Sequence, residues 1–115
     1  MKEYIKVMKA LSDPNRVKII KILQKRIMCV CEIRAALGLA QPTISKHLKA
    51  LEEAGLVSHS KDRLWVNYFL TDGAQSPYAA SLIGQMRHWL SEDLEIKRLL
   101  DDLDEIHREE ICKRP

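Results

Sequence analysis

Long hydrophobic runs are missing from this sequence. Apolar residues make up 46% of its 115 positions, but charge interrupts them every few residues. No stretch approaches the roughly 20 apolar residues that a membrane-crossing helix needs. The start, Met1 to Tyr4, lacks the apolar centre of a secretory signal, and the expectation is therefore a cytoplasmic protein with no membrane partner. Cysteine is sparse and odd in number: Cys29, Cys31 and Cys112. In a reducing compartment such a set is no disulfide framework, which leaves ligand binding or thiol redox chemistry. Also missing are a glycine-rich phosphate loop, a nucleophile elbow and a carboxylate pair in an apolar setting, so an enzyme is not expected. With no internal repeat and no low-complexity linker, the length corresponds to one domain with a modest core.

What is present is a charge asymmetry hidden in the net +3. Residues 14–71 carry ten Lys or Arg against four Asp or Glu, while residues 91–110 carry three against nine. A solvated charged face would account for either segment alone. A basic middle beside an acidic end fits a middle that meets a polyanion and an end with another task.

The apolar spacing predicts mostly helix. Tyr4, Ile5, Met8 and Leu11 mark a short amphipathic helix, and Asp13 and Pro14 supply an N-cap and first helical position for the next. Val17, Ile20 and Leu23 give that second helix its buried stripe, and a third, near residues 31–37, closes at Gly38. Gln41 and Pro42 open a fourth, with Ile44, Leu48 and Leu51 on one face and Gly55 beyond its end. The period then changes. Residues 56–60 and 64–70 are rich in β-branched and aromatic side chains around a turn at Lys61, Asp62 and Arg63, which predicts a β-hairpin. Pro77 restarts helix with Leu82, Ile83, Met86 and Trp89 inward. After a break at residues 91–93, Ile96, Leu99, Leu100, Leu103 and Ile106 form a last apolar stripe.

This order is that of a winged helix: mainly α with a β-hairpin wing. The terminal helices carry more apolar surface than a small monomer needs, so both are expected to pack against a partner. Residues 1–90 are read as a DNA-binding and dimerisation domain, and residues 91–115 as an acidic helical extension of it.

Residues 32–54 have helix-turn-helix syntax: a short helix ending at Gly38, a turn at Ala40, and a second helix from Gln41. The spacing turns Gln41, Thr43, Ser45, Lys46 and His47 outward beside Pro42, over an inward Ile44 and Leu48. A recognition helix needs that division, with donors and acceptors for base edges and phosphates over an apolar back that fixes its angle. Any amphipathic helical hairpin shares the pattern. Lys61 and Arg63 at the hairpin tip, placed to touch phosphate or minor groove, make it specific.

Four runs in fixed order resemble the arsenical-repressor (ArsR/SmtB) family: LSDPNRVKIIKIL at 11–23, QPTISKHL at 41–48, LEEAGLV at 51–57 and WVNY at 65–68. The resemblance spans roughly residues 3–90 and implies a homodimer built on the first and fifth helices, repressing its own operon until an inducer binds. The wing turn of the family usually carries glycine, and Arg63 stands there in this chain.

Cys29 and Cys31, one residue apart at a helix entrance, can chelate one soft ion. Backbone N–H groups and the helix dipole at that position are expected to favour the thiolate. As(III) and Sb(III) suit such a site because they are thiophilic and accept three sulfurs in a pyramid; thiolates also suit Zn, Cd, Pb and Cu(I). Two buried structural cysteines are the plain alternative. The run from Cys29 to Ile33 is similar to the metalloid-binding motif of arsenic-responsive family members, which usually has a third cysteine one turn on, where this chain has Arg34. Cys112 is either that third ligand or a tail thiol. The zinc-type site on the fifth helix has no counterpart around Met86, Arg87, His88 and Leu99, and residues 1–28 contain no cysteine for a cadmium/lead type. His59, His88 and His107 read as surface residues. A thiol-redox or persulfide sensor, pairing Cys29 or Cys31 with Cys112, stays open beside the metalloid reading.

Overall fold

The computed structural model describes residues 1–111. Its elements run α1 (Lys2–Ala10), α2 (Pro14–Lys25), β1 (Met28–Cys29), α3 (Val30–Leu37), α4 (Gln41–Glu53), β2 (Val57–Asp62), β3 (Trp65–Leu70), α5 (Pro77–Met86) and α6 (Leu94–Asp102). A 3₁₀ turn (Leu103–Glu105) and a short α7 (Arg108–Ile111) complete it. This is the expected winged helix. Among the described residues no helix is long and apolar enough to cross a membrane.

Local chemistry places most boundaries. Asp13 Oδ1 accepts the N–H groups of Asn15 (2.8 Å) and Arg16 (3.3 Å), with Pro14 in the first turn of α2. Ser76 and Asp93 cap α5 and α6 in the same way. Gly38 ends α3 with φ at 69°, a left-handed conformation that costs glycine nothing. Gly73 is required for a second reason. With φ at 75°, an added Cβ would lie 2.6 Å from the Ala80 backbone nitrogen.

The core gathers Val7 from α1, Ile19, Ile20, Ile22 and Leu23 from α2, Ile33 from α3, and Ile44, Leu48 and Leu51 from α4. Lys21 sits in this apolar surround at 4% exposure, and its ammonium donates to the carbonyls of Met86 (2.8 Å) and Trp89 (3.0 Å). A cation at the C-terminal end of α5 answers carbonyls left without helical partners. Burial, then the charge of Lys25, lowers the Lys21 pKa below the ordinary lysine range.

Several expectations are corrected. The wing is part of a three-stranded antiparallel sheet in the order β1-β3-β2, with Met28 opposite Tyr68 and Cys29 opposite Asn67. A two-residue strand leaves no alternation to read. The hairpin closes over Arg63 and Leu64, because Asp62 pairs with Trp65; Lys61 lies on the strand and Arg63 takes φ at 58° where glycine would be unstrained. The last apolar stripe is interrupted after Asp102. Its Ile96, Leu99, Leu103 and Ile106 join this protomer's own core rather than waiting for a partner, with α6 packed on α2. Met86 is likewise buried within the protomer, and Trp89, expected inward, lies beyond the end of α5 at 48% exposure.

Candidate nucleic-acid interface and thiol site

On α4, Gln41, Pro42, Thr43, Ser45 and Lys46 are exposed, above a buried Ile44 and Leu48. The N-terminus of this helix differs from those of α2, α5 and α6. Its N-cap is Ala40, without a side-chain hydrogen bond, and like α2 and α5 it has no acid in its first turn. Its leading N–H groups have no side-chain cap, the condition in which a helix N-terminus can receive an anion. Lys61 and Arg63 are exposed on the wing.

His47, expected on the outward face, is instead 9% exposed. Its Nδ1 accepts a hydrogen bond of 3.1 Å from Arg16 Nε on α2, so the ring braces α4 against α2 and carries its proton on Nε2 in the neutral form. Helical periodicity alone could not reveal this, because the partner lies 31 residues away in the chain.

The two cysteines meet at the entrance to α3. Cys29 is its N-cap residue and Cys31 lies in its first turn, with the two sulfurs 3.3 Å apart. Glu32 completes a capping box: its N–H faces the Cys29 sulfur, and its Oε1 accepts the Cys29 N–H at 3.0 Å. The cysteine-x-x-glutamate spacing was the available signal, with sulfur in the place of the usual hydroxyl. Contrary to the expectation of a favoured thiolate, the Cys29 thiol is pushed up from the ordinary cysteine value. Burial is the leading cause, and the side chain of Glu32 adds to it against the helpful backbone N–H.

The Glu32 carboxylate is itself 4% exposed and is met by two guanidiniums. Arg26 approaches at 3.6 Å and Arg108 at 3.1 Å. A carboxylate buried to this degree requires such compensation. Neither arginine was singled out by the sequence: Arg108 lies 76 residues away in an acidic segment, and Arg26 lies before β1, off the helix that carries Glu32. Among the described residues no group of three His, Cys, Asp or Glu side chains could hold a metal ion. Cys112, the third candidate ligand, lies outside the described residues.

An exposed, uncapped recognition helix over an apolar back, followed by a basic two-stranded wing, defines a winged helix-turn-helix DNA-binding protein. The chain belongs to the ArsR family of bacterial regulatory proteins, whose family model matches residues 13–59. It is 33% identical over 100 residues to the arsenical resistance operon repressor of Escherichia coli, covering 86% of this chain and 83% of that one. It is 37% identical over 91 residues to an arsenic resistance transcriptional regulator of Pseudomonas putida, covering 76% and 71%. In structure it resembles the homodimeric winged helix-turn-helix DNA-binding domain of a possible ArsR-family regulator from Mycobacterium bovis. That match has a TM-score of 0.64 and 26% identity, and covers 81% of this chain and 82% of that one. The protein is a transcriptional repressor of this family, and not an enzyme.

Proposed function

We propose that two copies of this chain grip operator DNA through α4 and the wing, and release it when As(III) or Sb(III) binds at Cys29 and Cys31. The observation that carries the inducer is the 3.3 Å sulfur pair at the first turn of α3, the helix packed against α4. With metal–sulfur bonds of about 2.3 Å, two sulfurs on a tetrahedral ion lie about 3.8 Å apart, and on a centre with near-right angles about 3.3 Å. The narrower bite suits a pyramidal metalloid.

The raised Cys29 pKa favours the same ion class. A divalent cation must expel the Cys29 proton to solvent, which the raised pKa of that thiol resists. Arsenous acid brings its own hydroxides: with both cysteines in the reduced, thiol state, As(OH)₃ and the two thiols condense to a dithiolate, As(SR)₂OH, and two waters, with no net proton release. A third thiol, from Cys112, would remove the last hydroxide as a third water.

For DNA, Gln41, Pro42, Thr43, Ser45 and Lys46 are the contact surface of α4, with Lys61 and Arg63 on phosphate or minor groove. His47 positions α4 and offers Nε2–H at its edge. Tyr4, Ile5 and Met8 of α1, with Leu82 and Trp89 at α5, form the surface for the second copy. Tyr4 and Trp89 are exposed in the protomer, at 42% and 48%. Two recognition helices so joined address half-sites about 34–36 Å apart, and an imperfect palindrome is expected in the operator.

The test is operator release against As(III), Sb(III), Cd(II), Pb(II), Zn(II) and peroxide, with Cys29→Ser, Cys31→Ser and Cys112→Ser beside the unaltered chain. Release by As(III), lost in Cys29→Ser and Cys31→Ser, supports the reading. Release by peroxide alone, dependent on Cys112, would replace it with the thiol-redox sensor.

A further inference from the structure

Arg108, in the acidic C-terminal segment, joins the thiol site to the wing. Its Nη2 donates to Glu32 Oε1 at 3.1 Å and to Asn67 Oδ1 at 2.5 Å, and its Nε lies 3.4 Å from the same Glu32 oxygen. Its guanidinium stacks over Trp65, 4.6 Å from the ring centroid. Glu32 Oε1 is also the acceptor for the Cys29 N–H, so one carboxylate oxygen serves the thiol segment and the clasp together. Asn67 and Trp65 are both on β3, the strand that leaves the wing turn, and Asn67 pairs with Cys29 across the sheet. Arg26 fastens the approach to this segment by donating to the carbonyl of Ile106 at 2.8 Å.

We propose that Arg108 is a positioning residue that carries a change at Cys29 to the wing, so that inducer release acts on Lys61 and Arg63 as well as on α4. The proposal rests on the thiol site being the inducer site. A ligand bound at Cys29 takes its sulfur from the Glu32 N–H and turns the first residues of α3. Glu32 then shifts, and the guanidinium that shares its charge between Glu32 and Asn67 shifts with it, along with Trp65. Without Arg108 the two-residue ladder and the packing of α3 on β3 remain, and the charged link is lost. Only a planar, forked donor can reach Glu32 and Asn67 while lying flat on an indole, so lysine is no substitute.

The experiment measures operator affinity with and without sodium arsenite, arsenic bound per chain by mass spectrometry, and amide exchange over residues 65–70. Arg108→Gln and Arg108→Lys are compared with the unaltered chain. Arg108→Gln is expected to bind operator without arsenite and to take up the same arsenic. Its release factor should fall about tenfold from a starting coupling on the order of 100-fold, and arsenite should no longer speed exchange over 65–70. Arg108→Lys should behave like Arg108→Gln. An unchanged release factor at equal arsenic occupancy in Arg108→Gln, or full rescue by Arg108→Lys, overturns the clasp. If the unaltered chain binds no arsenic, the inducer reading fails, and the clasp is then decided without ligand. Arg108→Gln and Glu32→Gln should each speed exchange over 65–70, and the double variant should add nothing further. Additive effects, or none, overturn it; should Glu32→Gln fail to fold, Asn67→Ala takes its place in the cycle.

Discussion

Replacing Cys29 by serine should separate sensing from folding, and the structure gives the magnitude. Cys29 is 3% exposed, so the exchange of sulfur for oxygen forfeits about 1 kcal/mol of apolar contact and burial. The same side chain faces the Glu32 N–H as the N-cap of α3. Serine is a far better cap than a thiol, and a good cap contributes about 1 kcal/mol over alanine. The two effects nearly cancel, and Cys29→Ser should stay within about 1 kcal/mol of the parent, a shift of a few degrees in Tm. Cys29→Ala loses burial and cap together and should fall about 2 kcal/mol short. Release is another matter. A hundredfold loss of operator affinity requires the ligand to prefer the released state by about 2.7 kcal/mol, and Cys29→Ser removes the 3.3 Å sulfur pair on which the chelate rests. Thermal denaturation with a gel-shift titration in arsenite checks both halves. A folded, operator-binding Cys29→Ser chain that dissociates at the parent's arsenite concentration would refute the chelate. A Cys29→Ser chain less stable than Cys29→Ala would refute the cap.

The remaining expectations concern the ion, the interface and the frame. Because burial raises the Cys29 thiol pKa from an ordinary value that already lies above neutral, affinity for As(III) should barely change between pH 6 and 8, while Cd(II) affinity should rise about tenfold per unit for each proton released; calorimetry in two buffers separates them. A steep As(III) profile with proton release would contradict the condensation. His47→Ala leaves Arg16 Nε without its acceptor and should cost about 1–2 kcal/mol in stability and weaken operator binding, whereas a purely surface histidine would alter binding alone. Replacing Lys61 and Arg63 by alanine should weaken binding to every DNA sequence and lower the salt slope by about 2, read from affinity at several salt concentrations; an unchanged slope would remove the wing from the interface. Gly73→Ala should lose about 3 kcal/mol, since its Cβ meets the Ala80 backbone and φ is 75°, and a denaturant midpoint close to the parent's would contradict that packing.

The helix-turn-helix, its caps and its wing were legible in the sequence because they are written in short-range chemistry. Asp13 before Pro14, Gly38 past Leu37, and the change from helical to alternating period after Gly55 each act within a few residues. The placing of two thiols at the entrance to α3 was legible for the same reason. Tertiary structure alone decided what those thiols experience. The position of a helix N-terminus argued for a thiolate, but burial and the carboxylate of Glu32 outweigh the Glu32 backbone N–H and the charge of Arg108, and raise the Cys29 pKa. It alone decided that His47 turns to Arg16, and that Ile96, Leu99, Leu103 and Ile106 fill their own protomer. An amphipathic stripe states that a face will be buried, not by whom. Glu32, Arg26 and Arg108 show the same limit in charge. A buried carboxylate must find cations, yet nothing local to Glu32 indicates that one of them lies 76 residues further along, in a segment that reads from composition as merely acidic.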